Sequence, residues 1–288
     1  MKEHSRTWSD LGPGICYILE ISRSRRAELL RGIVSSRGLA QLKPAGKTNS
    51  SVWDVFFVLF LSMAVVPTLG IMCIDWFAAM GIISDSLDTL KQIRMVTAVS
   101  AQEAALFFLT WGVVKSEGGS LASLGFRWQR PGADVALGIG IGGLLVGINL
   151  VGEHVSRFLF SLFMTDSRVM ELLLQENAVT GKIIAQGQED WARISMAVLI
   201  ICVAPIVEEA FFRGYAYNVC KARWGTTRAV LLSSLLFAGV HMYIIHFLPV
   251  FLLGVILALV YQWRNTLVTP IVAHAMTNLI VAVALYYF

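Results

Sequence analysis

The stretch VEEAFFRG, residues 207–214, places two adjacent glutamates and an arginine inside sequence that is apolar from residue 198 onward. On the surface of a soluble protein such charges are ordinary. Inside a bilayer-spanning helix each one costs at least a few kcal/mol, and needs a partner, a wet cavity or a task. Composition decides which setting applies. Of 288 residues, 56% are hydrophobic and 15% are charged, where soluble domains carry roughly 25% charged residues. Mean hydropathy is +0.68. So little polar surface cannot cover one soluble domain of this size, and the chain reads as a polytopic membrane protein.

Apolar runs near the roughly 20 residues that cross a bilayer occur at 53–76, 96–114, 133–152 (extendable to 164), 194–220, 229–245, 247–263 and 267–288. The expectation is an all-α transmembrane helix bundle of about seven to eight spans, over residues 51–288. Residues 1–50 hold nine Lys and Arg and read as a basic cytoplasmic arm. Within it, CYILEISRSRRAELLRGIV (16–34) is mildly amphipathic and suits an anionic lipid surface. The later loops alternate as the positive-inside rule requires. Lys115, Arg127 and Arg130 fall inside, as do Lys221, Arg223 and Arg228, and Arg264; the acidic loop 164–190 falls outside. The net charge of +4 therefore reflects orientation, and no basic run with interleaved aromatics points to nucleic acid. The glycine run GIGIGG (138–143) lies inside a span with no strand before it. It reads as close helix packing through Gly138, Gly142 and Gly147 rather than a nucleotide loop.

Three polar groups interrupt the last four spans: Glu208, Glu209 and Arg213; His241 in FAGVH (237–241); and His274 with Asn278 in HAMTN (274–278). Glu209 and Arg213 are i and i+4, on one helix face with the acid N-terminal, as that pairing prefers. Glu208 lies about 100° round the helix, so it points elsewhere. Counting about 1.5 Å per residue from the cytoplasmic ends puts Glu208 and His241 each roughly 18 Å deep, and His274 and Asn278 roughly 10 to 16 Å deep. Three helices thus bring their polar groups to one layer, which suggests a shared buried cavity. Taken singly, each has a plainer reading: a snorkelling Glu208, a hydrogen-bonded interior His241, and a structural Glu209–Arg213 pair. Together they match a chemistry. A carboxylate and imidazoles activate water, and an amide or second imidazole holds a developing oxyanion.

EEAFFR, FAGVH and HAMTN, in that order on successive spans, resemble the EExxxR, FxxxH and HxxxN signatures of the CPBP family. That family comprises CAAX proteases and bacteriocin-processing enzymes, including the type II CAAX prenyl endopeptidases. The resemblance covers about residues 121–288, the expected protease core. It implies an intramembrane endopeptidase in which Glu208 activates water with His241 as its partner. His274 and Asn278 would bind the oxyanion or position that water. Glu209 and Arg213 would support the motif, and Phe237 would pack the cavity wall. The family's reliance on metal is unsettled: if a divalent metal such as zinc is used, the ligands would be Glu208, His241 and His274, although no HExxH spacing is present. The implied partners are the lipid bilayer and a membrane-embedded or lipidated peptide substrate. The implied location is a bacterial inner membrane, or the endoplasmic reticulum in a eukaryote. Two other readings stay open: an inactive scaffold or immunity factor with the same fold, and a proton-coupled transporter, for which no inverted repeat is visible.

Overall fold

The computed structural model describes residues 50–83, 86–184 and 189–287. Apart from Ser50, the basic arm expected at 1–50 lies outside the described residues. Those residues are helical, without strands. In chain order the helices are α1 (Val52–Ala79), α2 (Leu87–Ser116), the single turn α3 (Leu121–Leu124), α4 (Pro131–Ser161), α5 (Asp166–Ile184), α6 (Asp190–Val240), α7 (Phe247–Arg264) and α8 (Val268–Tyr287). All but α3 and α5 are long and apolar enough to cross a membrane, which makes six such segments among the described residues. Large apolar side chains such as Phe57, Phe60, Leu150, Phe158 and Leu259 remain exposed, as expected of surfaces that face lipid.

The sequence runs 194–220 and 229–245 fall largely on the two helical limbs that meet at Gly225 within α6, so six segments cover seven runs. The segment is bent back on itself. Gly225 sits at φ 79°, ψ 174°, a region open essentially to glycine alone. Phe212 and Phe237 flank it in sequence, and their ring centroids lie 5.1 Å apart. Straight helix would separate them by about 37 Å. α6 is therefore a hairpin of two limbs.

Local sequence accounts for the irregular turns. Wide π-helical turns occupy Leu61–Val65 and Leu199–Val203, immediately ahead of Pro67 and Pro205. Proline has no N–H to donate and crowds the carbonyl one turn back, so the helix opens there. A third π turn, Ala210–Ala216, directly follows Glu209.

Close packing sets the register of α4 against α8. A Cβ added at Gly138 would lie 2.7 Å from the Val272 side chain, and one at Gly142 would lie 2.7 Å from Met276 Cβ and 2.8 Å from the Ala273 carbonyl. Gly147, expected in the same contact, faces open space instead. Where α4, α7 and α8 meet, buried Asp134 accepts hydrogen bonds from Arg264 Nε (2.9 Å) and Nη2 (2.7 Å) and from Thr269 Oγ1 (3.0 Å). Near the start of α7, Glu176 of α5 accepts from the N–H groups of Ile244 (2.6 Å), Ile245 (2.9 Å) and His246 (3.1 Å) and from His246 Nδ1 (2.7 Å). His246 reads from sequence as an unremarkable interfacial residue; here it belongs to a helix-capping cluster. Burial alone would raise the Glu176 pKa, but these four donors outweigh it and the net shift is downward.

Two outcomes follow. Gly142→Ala should lose about 1–3 kcal/mol through overpacking, whereas Gly147→Ala should be neutral or slightly stabilising; thermal unfolding of the detergent-solubilised chain separates them. A carboxylate with a depressed folded pKa contributes stability above its ordinary pKa and loses it as pH falls through the folded value. Wild type should therefore be more stable than Glu176→Gln at neutral pH, and melts repeated at falling pH should show that advantage shrinking in the acid range.

Candidate active site

The two glutamates stand at the end of a short regular stretch, Ala204–Glu209, between two π turns. Glu209 and Arg213 keep the i, i+4 relation and pair at 2.8 Å from Arg213 Nη1 to Glu209 Oε1. Both are fully buried. Arg213 Nη2 also donates to the Gly254 carbonyl at 3.1 Å, and the guanidinium lies 4.5 Å from the Phe237 ring centroid, within cation–π range. An ion pair so deep persists only when hydrogen bonds and ring contacts replace the water it has lost.

Glu209 does more than balance Arg213. Its Oε1 also receives His274 Nδ1 at 3.1 Å. Because a carboxylate oxygen only accepts, the neutral imidazole carries its proton on Nδ1 and turns an unprotonated Nε2 toward Glu208, 3.9 Å from Glu208 Oε2. That Glu208 oxygen is buried and has no hydrogen-bond partner. The supporting role read for Glu209 thus extends to orienting an imidazole, as a carboxylate does behind a catalytic histidine.

Phe237 sits between the two histidines. Its ring centroid lies 4.8 Å from that of His241 and 5.6 Å from that of His274, in keeping with the wall position read from sequence. The FxxxH spacing gives His241 a local partner as well: its Nδ1 meets the Phe237 carbonyl at 2.7 Å. The proton therefore lies on Nδ1, and Nε2 keeps a free lone pair. The structure thus brings Glu208 within 3.9 Å of His274, a proximity the sequence reading did not single out, and sets His241 and His274 against the same Phe237 ring. Asn278, one turn beyond His274, donates from Nδ2 to the Ile200 carbonyl at 2.9 Å, inside the π turn that precedes Pro205.

One residue escaped the sequence reading. Glu103 of α2 is 3% exposed, its Oε2 is buried without a hydrogen-bond partner, and α2 packs against Ala204–Glu209. A lone acid in the otherwise uncharged run 96–114 was the available signal. A surface hollow of about 490 Å³, lined by His154, Arg157, Ser161 and Asp166 among others, shares no residue with this cluster. As for metal, among the described residues no three His, Cys, Asp or Glu side chains converge as ligands would. A tetrahedral zinc with bonds of about 2.0 Å would draw its ligand atoms closer than the 3.9 Å between Glu208 Oε2 and His274 Nε2. No step is derived through a metal.

Residues 190–280 match the family model described as type II CAAX prenyl endopeptidase Rce1-like. The match contains all three polar motifs. No curated protein and no solved structure matches the chain.

Removing one partner of the buried pair should be far worse than removing both. Arg213→Met should cost about 3–5 kcal/mol by stranding Glu209. The double change Glu209→Gln with Arg213→Met should recover part of that loss, as a comparison of melting points across this mutant cycle can establish.

Proposed function

On the premise that residues 190–280 form an Rce1-like domain of a CAAX-type membrane protease, we propose that the chain hydrolyses peptide bonds within the bilayer by a glutamate-activated water. The observation that carries this reading is the Glu208 oxygen that is buried and unpartnered, 3.9 Å from an imidazole nitrogen oriented by a second glutamate. An oxygen so placed has no protein donor to give up before it meets a water, and the surrounding apolar layer excludes bulk water that would weaken the interaction.

The roles follow from donor and acceptor chemistry. Glu208 takes a proton from water as its oxygen attacks the peptide carbonyl carbon. The carbonyl becomes an oxyanion that is met by N–H donors, for which the second amide hydrogen of Asn278 and a protonated His241 are suited. When the C–N bond breaks, the proton held by Glu208 passes to the departing amine. The water's hydroxyl stays on the new carboxyl group, and no covalent enzyme intermediate forms. Glu209 with Arg213 fixes the ring of His274, whose unprotonated Nε2 faces Glu208 and can accept from it once Glu208 carries the proton.

The substrate class is a membrane-embedded or lipidated peptide, since only such a chain delivers its peptide bond to this layer. The positive-inside pattern of the loops supports a cytoplasmic N-terminus.

The test uses purified protein in lipid with quenched membrane peptides, including lipidated ones. Wild type should cut at least one. Glu208→Gln should slow cleavage by about 10²- to 10⁴-fold without reducing membrane abundance, and a chelator should leave the rate unchanged. Full cleavage by Glu208→Gln would sink the mechanism, and chelator sensitivity would move a metal into it. If wild type cuts none of the peptides, the scaffold reading takes precedence.

A further inference from the structure

We propose that Glu176 of α5 is a positioning residue for His241: it pins the connection between α6 and α7 that begins at this imidazole. The contact stands on geometry, and only its effect on cleavage rests on the protease reading above.

His241 is the C-cap of α6 and His246 the N-cap of α7, and the residues between them are irregular. The helix already holds loosely at this end, where the N–H groups of His241 and Met242 donate to Ala238 and Gly239 at 3.3 and 3.2 Å. Met242 sits at φ 57°, a left-handed conformation that persists only where the surroundings impose it. Its own side chain is 86% exposed, so the constraint comes from its neighbours.

Those neighbours are held by α5. Ile245 is fully buried and clusters with Val169, Leu172 and Leu173. Glu176 stands one turn further along that face. It accepts the N–H groups of Ile244 (2.6 Å), Ile245 (2.9 Å) and His246 (3.1 Å), and His246 Nδ1 (2.7 Å). On its other side, His246 Nε2 lies 3.7 Å from Glu153 Oε2 of α4. The Tyr243 ring leads back to the site: its centroid lies 5.7 Å from that of His246 and 6.0 Å from that of His241. His241 is thus gripped twice, by Phe237 of its own helix and by the series of rings that ends at Glu176. Four donors meet two carboxylate oxygens there. A glutamine offers one oxygen and turns an NH2 toward donors, so it cannot keep them all. α5 is not among the six segments long and apolar enough to cross the membrane. A helix with no residue in the catalytic cluster therefore sets the aim of one of its imidazoles.

Hydrogen exchange of the full chain in lipid tests the contact. Glu176→Gln should speed exchange at residues 244–246 by about 10-fold or more, the loss expected for hydrogen bonds to a charged acceptor. Residues 204–216 should keep their protection. In histidine-labelled protein, the ring resonance of His241, assigned by its loss in His241→Ala, should shift in Glu176→Gln. That of His274, held by Glu209, should stay. An unmoved His241 resonance, unaltered exchange at 244–246, or equal loosening at 204–216 overturns the proposal whether or not any peptide is cut.

The cleavage assay, run well below both melting points, then tests the consequence. Glu176→Gln should lower kcat by about 10- to 10²-fold with KM unchanged. Glu176→Asp, which keeps both oxygens on a shorter arm, should recover part of the rate. A kcat that falls only in step with the folded fraction would reduce Glu176 to a structural residue. Failure of wild type to cut any peptide counts against the protease reading alone, since exchange and the His241 resonance still decide the contact.

Discussion

The Glu209–Arg213 ion pair is the constraint on which the rest of the site depends. Both groups are withdrawn from solvent, and neither is tolerable alone at that depth. Their partners therefore define the cavity. Arg213 reaches across to the Gly254 carbonyl on α7 and lies against Phe237 on the second limb of α6. Glu209 reaches across to His274 on α8. One pair thus fastens three helical elements to the first limb of α6. The residue beside it, Glu208, is left with an oxygen that no protein donor meets. Glu209 Oε2 and Arg213 Nε are likewise buried without a hydrogen-bond partner, but the ion pair balances the charge of Glu209, and Glu208 has no such partner.

This division was partly legible in the sequence. The i, i+4 spacing of Glu209 and Arg213 fixes that they meet, and the angle of about 100° between neighbours fixes that Glu208 does not share their partner. A count of residues from the helix ends also suggested that the two histidines come near one another, and both lie against the Phe237 ring. What a count cannot give is the direction of a side chain across helices. For that reason the spacing alone does not show that His274 Nε2 lies 3.9 Å from Glu208 Oε2. Glu103 was visible as an isolated acid in an apolar run, but nothing in the spacing tied α2 to the Glu208 layer.

The fold was legible to a similar depth. Apolar length located the helices, because the bilayer leaves the backbone few alternatives. It did not reveal the tight turn at Gly225 that joins the runs at 194–220 and 229–245, nor that π turns lie on either side of the two glutamates. The prolines at 67 and 205 mark where two of those turns end, but the third has no proline behind it, and nothing in its sequence accounts for the widening.

The HxxxN spacing has a structural consequence beyond chemistry. His274 and Asn278 lie on one face of α8, and they reach two different points of α6: the glutamate pair and the Ile200 carbonyl in the π turn before Pro205. A helix opened by a π turn leaves a carbonyl without its usual intrahelical partner, and the asparagine amide supplies one. α8 can serve both points only in a single register. That register is set on its other side, where Gly138 and Gly142 of α4 admit Val272, Ala273 and Met276. A slip of one residue would rotate α8 by about 100°, remove His274 from Glu209 and leave the Ile200 carbonyl unmet. Small residues on a helix with no polar contact to Glu208 therefore govern the placement of the imidazole beside it. The site's precision depends as much on the absence of two side chains on α4 as on the presence of the acids on α6.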